Sequence, residues 1–230
     1  MKVGLLSDIH GNHAAMKAVM RFLVPEVDAF AFLGDICGYY PFLEECLDLY
    51  PTDNVVGVQG NHDSVLIDCY QKRIAPPSKY QEKYGSALGQ SLLQMTDEKI
   101  KPLLKLPLTC SRNWCGMEVA MYHGSPWDVL KGRIYPDFQD WERFSDLSAD
   151  IVLLGHTHYP LVKSIHGKYI INPGSVGQAR DCSGAACCAI LDLTTPTVDL
   201  HRIPYSPKSV IESVKCNDPH LKYLVEVLER

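Results

Sequence analysis

The sequence predicts an α/β fold whose sheet contains parallel strand pairs. The first 63 residues read strand–helix–strand–helix–strand, and each strand is a short apolar run closed by a turn that contains glycine. Such alternation favours parallel pairing through helical crossovers. The second half differs, because short strands there follow one another with little helix between them.

The elements of the first half are set by apolar runs and by helix boundary signals. Residues 13–24 carry apolar side chains at helical spacing and end before Pro25. Pro41 suits the first turn of a second helix. The expected elements are strands at 3–7, 29–33 and 54–58 and helices at 13–24 and 41–50.

After these elements, residues 63–106 are predicted to be mainly helical, with a loop around Pro76-Pro77. No repeat, linker or low-complexity segment interrupts the chain, so we expect one domain over residues 1–230. The remaining expected elements are strands at 118–122, 151–154, 168–171, 186–193 and 197–202 and helices at 136–147 and 219–228.

Composition and charge narrow the classes of function. The 230 residues are 46% hydrophobic and 21% charged, which is typical of a globular protein. A net charge of −5 gives no general attraction to nucleic acid or to an acidic membrane. An anionic ligand would therefore depend on metal ions or on a few local basic residues.

The nine cysteines do not form a recognisable framework. They are scattered and odd in number, and none has the two-residue spacing of a zinc or redox motif. We therefore expect free, buried thiols in a reducing compartment. The opening MKVGLLSDIHGN becomes polar too early for a signal peptide, and no apolar stretch approaches the roughly 18 residues of a membrane span. A cytoplasmic location is the expectation.

Potential metal ligands directly follow five of the predicted strands. Strand ends of such sheets form one rim, so residues distant in sequence can meet there. An extended backbone at residues 156–158 would point two of the histidines to the same side. Asp8 or Asp35 alone would be an ordinary helix cap, but recurrence at five strand ends favours a metal site. The residues are Asp8, His10, Asp35, Asn61, His62, His123, His156 and His158.

The types of side chain in this set indicate which metals would bind. Without His62, the set offers two aspartates, one asparagine and four histidines, and no thiolate. Oxygen and imidazole ligands favour Mn, Fe, Co, Ni or Zn over calcium. Seven ligands are too many for one catalytic ion with an open position, but they suit two ions that share a carboxylate.

The ordered motifs resemble the calcineurin-like metallophosphoesterase superfamily. Each motif alone is weak, but all five in the family's order over about residues 3–180 are specific. The stretch NPGSVGQARD, residues 172–181, is similar to the small bacterial and archaeal phosphodiesterase branch. The resemblance implies a four-layer sandwich of two mixed β-sheets flanked by helices. The motifs are Asp8-x-His10, Gly34-Asp35, Gly60-Asn61-His62-Asp63, His123-Gly124 and Gly155-His156-Thr157-His158.

The resemblance also implies a role for each ligand and a mechanism. Two divalent ions, with Mn favoured, would hold between them a water or hydroxide that attacks phosphorus in line. Because histidine ligands must be neutral, activity would collapse below roughly pH 6. The ligands would be Asp8, His10 and His158 for the first ion, Asn61, His123 and His156 for the second, and Asp35 bridging both.

His62 is the candidate acid, since a histidine here in the family contacts substrate and assists the leaving group, with Asp63 orienting it. A structural turn histidine is the alternative. Arg180 would either neutralise a phosphate oxygen or form a surface salt bridge. Three aromatic residues of the 125–144 insertion could stack on a base or cover the site, although core packing is the commoner use. They are Trp127, Tyr135 and Trp141.

The residues after Gly34-Asp35 indicate which class of substrate the protein would hydrolyse. Protein phosphatases and symmetrical dinucleoside tetraphosphatases of the superfamily usually carry a Val-Asp-Arg-Gly type element there, whereas residues 36–40 are Ile-Cys-Gly-Tyr-Tyr. The missing arginine favours small phosphodiester or nucleotide-type substrates. The alternatives are a phosphomonoesterase or protein phosphatase of the same fold, a non-catalytic interaction scaffold, and a single-metal binding protein. The complete ligand set argues against the scaffold.

Overall fold

A computed structural model describes residues 1–230 and contains ten strands in two five-stranded sheets. The strands are β1 (Lys2–Leu6), β2 (Ala29–Phe32), β3 (Val55–Gly57), β4 (Thr109–Trp114), β5 (Met117–Tyr122), β6 (Ile151–Leu153), β7 (Pro160–Ile165), β8 (Lys168–Pro173), β9 (Ala186–Asp192) and β10 (Thr197–Ile203). The helices are α1 (His13–Leu23), α2 (Leu43–Asp48), α3 (Asn61–Lys72), α4 (Ser78–Tyr84), α5 (Ala87–Gln94), α6 (Asp97–Leu104), α7 (Lys208–Asn217) and α8 (Tyr223–Glu226). A 3₁₀ helix spans Trp141–Asp146.

Both sheets are mixed, as the resemblance implied. The first has the order β10-β9-β1-β2-β3 and the second β4-β5-β6-β8-β7. In the first, β1, β2 and β3 pair in parallel, and β9 and β10 are antiparallel additions. In the second, β5, β6 and β8 pair in parallel between two antiparallel edge strands. The predicted parallel pairs are therefore confirmed.

Three apolar layers hold the sheets and helices together. Between the sheets, side chains such as Leu5, Val119 and Leu153 are fully buried. On the outer face of the first sheet, α1 buries the apolar positions that its spacing predicted, Met16 among them. The outer face of the second sheet is covered around Phe144, in the 3₁₀ helix. None of the helices is both long and apolar enough to cross a membrane.

Several predicted elements need correction. Both edge strands of the second sheet, β4 and β7, were missed, as was α7. The helix expected at 136–147 is only the 3₁₀ helix, and the helix expected at 219–228 is confined to α8. All nine cysteines are free, but four of them are not buried, contrary to expectation: Cys110, Cys115, Cys182 and Cys216.

Candidate metal centre

The structure brings the predicted ligands together at the strand ends in two adjacent clusters. Within each cluster, potential ligand atoms lie within 4.8 Å of one another. The first cluster is Asp8, His10 and His158, and the second is Asp35, His123 and His156. Asp35 also groups with His10 and His62, so its carboxylate lies between the two clusters.

The backbone turns sharply where these residues leave their strands. Five of the seven predicted ligands have a positive φ, between 53° and 66°. This left-handed conformation costs a non-glycine residue on the order of 1–3 kcal/mol and concentrates at functional sites. The extended backbone predicted at residues 156–158 is therefore wrong, and the two histidines enter different clusters. The five residues are Asp8, His10, Asp35, His156 and His158.

Gly60 lets the loops after β2 and β3 approach each other closely. A Cβ atom at Gly60 would lie 2.0 Å from Oδ1 of Asp35 and 2.4 Å from its backbone nitrogen. Any side chain here would therefore displace Asp35. The next residue, Asn61, begins α3, so the glycine also fixes where this helix presents its first side chain.

Asp63 holds the loop that carries Asp35. Its Oδ2 accepts hydrogen bonds from the amides of Asp35 (2.7 Å) and Gly60 (3.0 Å). Its Oδ1 accepts from the amides of Ile36 (3.0 Å) and Cys37 (3.3 Å). The prediction that Asp63 orients the ring of His62 is therefore wrong, because backbone amides occupy both carboxylate oxygens.

Three of the histidines have their tautomer fixed by a backbone carbonyl. Nδ1 of His10 lies 3.0 Å from the oxygen of Cys37, and Nδ1 of His158 lies 2.8 Å from that of Gln178. Nδ1 of His123 lies 2.6 Å from the oxygen of Leu33. A carbonyl only accepts, so each Nδ1 carries a proton and each Nε2 is the nitrogen left to bind a metal ion, as in metal-binding histidines.

In the first cluster, the lone pairs of two imidazole nitrogens face each other, and a cation between them would stabilise this arrangement. Nε2 of His10 and Nε2 of His158 are 3.0 Å apart, and both rings are buried. Oδ1 of Asp8 lies 3.6 Å and 3.3 Å from them and is buried without a hydrogen-bond partner. A buried, unpaired carboxylate oxygen is costly unless a positive charge compensates it. The residues of this cluster therefore fit a divalent metal ion.

The second cluster also brings oxygen and imidazole nitrogen atoms close together. Nε2 of His123 lies 3.2 Å from Oδ2 of Asp35 and 3.2 Å from Oδ1 of Asn61. The His156 ring is 5.1 Å from the His123 ring, centroid to centroid. The other oxygen of Asp35 accepts from the amide of His62 at 2.8 Å. Carboxylate, amide and imidazole groups thus converge, and they also fit a divalent metal ion.

Burial and neighbouring charge keep most of these histidines neutral. Burial lowers the pKa of His10 to about 4 and that of His156 to about 3. Burial alone would lower the pKa of His123 as well, but the Asp35 carboxylate raises it to about 10. Burial would raise the pKa of Asp8, yet its electrostatic interaction with His158 and its contacts with His10 hold it well below its ordinary value.

A cavity of about 320 Å³ opens above the clusters. Arg180 lies at this cavity, where its Nη2 is 3.2 Å from Oε1 of Gln178 and 3.4 Å from the hydroxyl of Tyr39. Sequence reasoning missed several lining residues: Tyr39, Lys83, Tyr84, Arg133 and Tyr223. The i, i+4 spacing of Tyr80 and Tyr84 in α4 was an available signal, since it places both on one helix face.

The aromatic residues of the 125–144 insertion divide between two roles. Trp127 and Trp141 pack their rings against Phe144, away from the cavity. Tyr135 alone lines the cavity, and its ring lies 5.9 Å from that of Tyr159. Trp141 therefore packs on the core, whereas Trp127 stays 39% exposed and lies under the guanidinium group of Arg143.

Sequence comparison identifies the family. The model of the calcineurin-like phosphoesterase superfamily domain matches residues 1–196. The chain belongs to this superfamily. Its members are metal-dependent, in agreement with the Asp and His clusters at the strand ends.

Individual relatives agree with this membership. The uncharacterised protein MJ0912 of Methanocaldococcus jannaschii is 31% identical, over 94% of this chain and 92% of the relative. A metallophosphoesterase of Sphaerobacter thermophilus superposes with a TM-score of 0.78 at 28% identity, covering 100% and 99% of the two chains. The hypothetical protein PH1004 of Pyrococcus horikoshii has the same fold, with a TM-score of 0.83 at 21% identity over 99% and 97% of the chains.

Proposed function

We propose that this member of the superfamily is a binuclear metal-dependent phosphoesterase that hydrolyses small phosphodiesters, including nucleotide-type esters. The observation that carries the proposal is the position of Asp35, whose carboxylate lies within 4.8 Å of a ring nitrogen of His10 in the first cluster and of His123 and His156 in the second. A carboxylate placed in this way suits a bridge between two ions.

The proposed roles follow the two clusters. Such ions, with Mn favoured over Fe, Ni, Co or Zn, supply Lewis acidity toward phosphate and a water nucleophile of lowered pKa. Asp63 maintains the loop of Asp35 through its four backbone hydrogen bonds. His62, which lines the cavity, donates a hydrogen bond to the leaving oxygen. The proposed ligands are Asp8, His10 and His158 for one ion, Asn61, His123 and His156 for the other, and Asp35 for both.

Three basic residues at the cavity support an anionic substrate. Lys83, Arg133 and Arg180 line it together with four of the proposed ligands. They supply local positive charge at the site of a protein whose net charge is −5. We propose that Arg180 pairs with a phosphate oxygen, because its guanidinium group is already held beside the site by Gln178 and Tyr39.

The walls of the cavity support a diester rather than a monoester or a phosphoprotein. The loop after Asp35 contributes no arginine and instead turns the ring of Tyr39 toward the cavity. Tyr84 of α4 and Tyr223 of α8 add aromatic surface on which a second ester substituent can pack. The hydroxyl of Tyr223 hydrogen-bonds to the carbonyl of Lys83, which joins α8 to α4 across one side of the site.

Contacts made by the C-terminal residues support one domain over residues 1–230. Residues beyond the family match complete the first sheet, because β10 pairs with β9 along its whole length. The hydroxyl of Tyr40 donates to the carbonyl of Leu224, which fixes α8 beside the loop of Asp35.

For this protein we propose the cytoplasm as its location, where its free thiols remain reduced.

The proposal is tested by a panel of metals and substrates. The protein is stripped with a chelator and reloaded with Mn²⁺, Ni²⁺ or Zn²⁺, and turnover of bis(4-nitrophenyl) phosphate is compared with that of 4-nitrophenyl phosphate. We expect metal-dependent activity with the diester preferred. Asn61→Ala should abolish that activity, whereas Asn113→Ala, at the exposed end of β4, should retain it. Faster turnover of the monoester would reverse the diester assignment, and absence of turnover with every metal would favour a non-catalytic role.

A further inference from the structure

The ring of His62 has one polar contact in the structure, and it comes from α4. Nδ1 of His62 is hydrogen-bonded to the hydroxyl of Tyr80. The ring is 97% buried and packs against Tyr39 and Tyr84, with ring centroids 5.2 Å and 4.7 Å away. Its other nitrogen, Nε2, has no hydrogen bond, and His62 lines the cavity.

No carboxylate is hydrogen-bonded to the His62 ring, although the Asp35 carboxylate lies within 4.8 Å of one of its nitrogens. Both oxygens of Asp63 are bound by backbone amides, and residues 36–40 contain no acidic side chain. Tyr80 belongs to a seven-residue helix that has no fully buried residue. The end of this helix is attached to α7 through Asp218, whose carboxylate accepts from the amide and hydroxyl of Ser86. The helix therefore brings a hydroxyl to a histidine that would otherwise have no partner.

The direction of the hydrogen bond follows from the hydroxyl's other contacts. No other protein group is hydrogen-bonded to the Tyr80 hydroxyl, and we infer that it donates its proton to Nδ1. Burial also raises the pKa of Tyr80, which keeps the phenol protonated. With Nδ1 accepting, the proton of a neutral imidazole is on Nε2.

We propose that Tyr80 is a positioning residue that fixes His62 as the Nε2–H tautomer, so that Nε2–H donates a hydrogen bond to the ester oxygen that leaves phosphorus. This rests on the proposed phosphodiesterase function. Hydrolysis adds one water across the P–O bond: the hydroxyl part goes to phosphorus and the remaining proton goes to the departing oxygen. Tyr80 and His62 keep their protons, and the hydrogen bond from Nε2 stabilises negative charge on that oxygen as the bond breaks.

A leaving-group comparison of Tyr80→Phe tests the role. The role matters most when the departing oxygen is a strong base, so diphenyl phosphate is compared with bis(4-nitrophenyl) phosphate in the metal-loaded protein. We expect kcat to fall about tenfold for diphenyl phosphate, because a tenfold change in rate corresponds to about the free energy of one hydrogen bond. For the nitrophenyl ester, we expect kcat to fall much less. Tyr80→Phe should add no further loss to His62→Gln. The matched control is Tyr70→Phe, which removes another tyrosine hydroxyl, bound to Asp97, from the helix of His62.

Imidazole nitrogen NMR of the Zn²⁺-loaded protein gives a readout that does not need turnover. We expect a protonated Nε2 at His62 in the wild type, a change of tautomer in Tyr80→Phe and no change in Tyr70→Phe. An Nδ1–H tautomer in the wild type, or equal loss of kcat on both diesters, would overturn the proposal. If the wild type turns over no diester but the tautomer result holds, the proposed function fails while the positioning by Tyr80 stands.

Discussion

The Nε2 atoms of His10 and His158 face each other at 3.0 Å beside an oxygen of Asp8 that has no hydrogen-bond partner. A metal ion would relieve this arrangement, so metal should stabilise the folded protein. At about 100 times Kd, binding contributes about 2.7 kcal/mol, which corresponds to a rise in Tm of roughly 5–10 °C for a chain of this size. Thermal denaturation with and without Mn²⁺ measures the shift.

His158→Ala should remove most of that shift. His166→Ala is the matched control, because His166 is exposed and pairs only with Glu142 on the surface. If the two variants respond equally to Mn²⁺, the first cluster does not bind the ion.

The two clusters should differ in how metal binding depends on pH. Burial lowers the pKa of His10 to about 4, so protons do not compete there near neutral pH. The Asp35 carboxylate raises the pKa of His123 to about 10, so metal must displace a proton from that cluster. Below pH 10 the affinity of the second cluster should fall by about tenfold per pH unit, while that of the first stays level from pH 8 to 6.

Calorimetric titration in two buffers with different ionisation enthalpies measures the protons released. We expect about one proton for the second ion and close to none for the first. Equal proton release by both ions would contradict this difference. Loss of activity at low pH then begins with the second cluster and starts above the pH 6 expected from the sequence, because burial keeps the histidines of the first cluster neutral to lower pH.

Asp63 should matter for folding as well as for activity. Asp63→Ala leaves four buried amide donors without their acceptor, and we expect the free energy of unfolding to fall by at least about 3 kcal/mol. Metal content should fall too, because the loop of Asp35 loses its support. Urea denaturation and metal analysis measure both. Asp68→Ala, in the same helix but exposed and paired with Lys72, should change stability by less than about 1 kcal/mol.

Arg180→Ala should weaken substrate binding without removing metal. Loss of a charge-assisted hydrogen bond to phosphate predicts a rise in KM of about tenfold or more for bis(4-nitrophenyl) phosphate. Arg180→Lys should recover part of the loss. Arg143, which stacks on Trp127 at 3.9 Å, provides the control, and Arg143→Ala should leave KM unchanged. An unchanged KM in Arg180→Ala would show that Arg180 does not bind the phosphate.

Much of this site could be predicted because its residues stand at the ends of apolar strands. Asp8 follows β1, Asp35 follows β2 and His123 follows β5. Parallel pairing brings the ends of β1 and β2 together, and packing of the second sheet on the first places the end of β5 beside them. The local backbone could not be predicted in the same way. The left-handed conformation at His156 and His158 is imposed by tertiary contacts, for example the hydrogen bond from the amide of His156 to Asp8.

The missed elements are those whose sequence pattern is weak. β4 is largely exposed and polar, and β7 begins with a proline, as edge strands often do. Each joins its neighbour through two residues with positive φ, Cys115-Gly116 and His166-Gly167, and neither pair includes the asparagine or aspartate typical of such turns. The contact between Tyr80 and His62 joins residues 18 apart through an irregular loop, so no periodicity pointed to it.

The sharing of Asp35 by two ions is decided by anomalous diffraction from crystals of the Mn²⁺-loaded protein. We predict two manganese peaks roughly 3.5–4 Å apart, one in each cluster, with the carboxylate of Asp35 between them. Crystals of Asp35→Ala should lose at least one peak. A single manganese peak in the wild type, or two peaks with Asp35 bound to only one of them, would contradict the proposed binuclear centre.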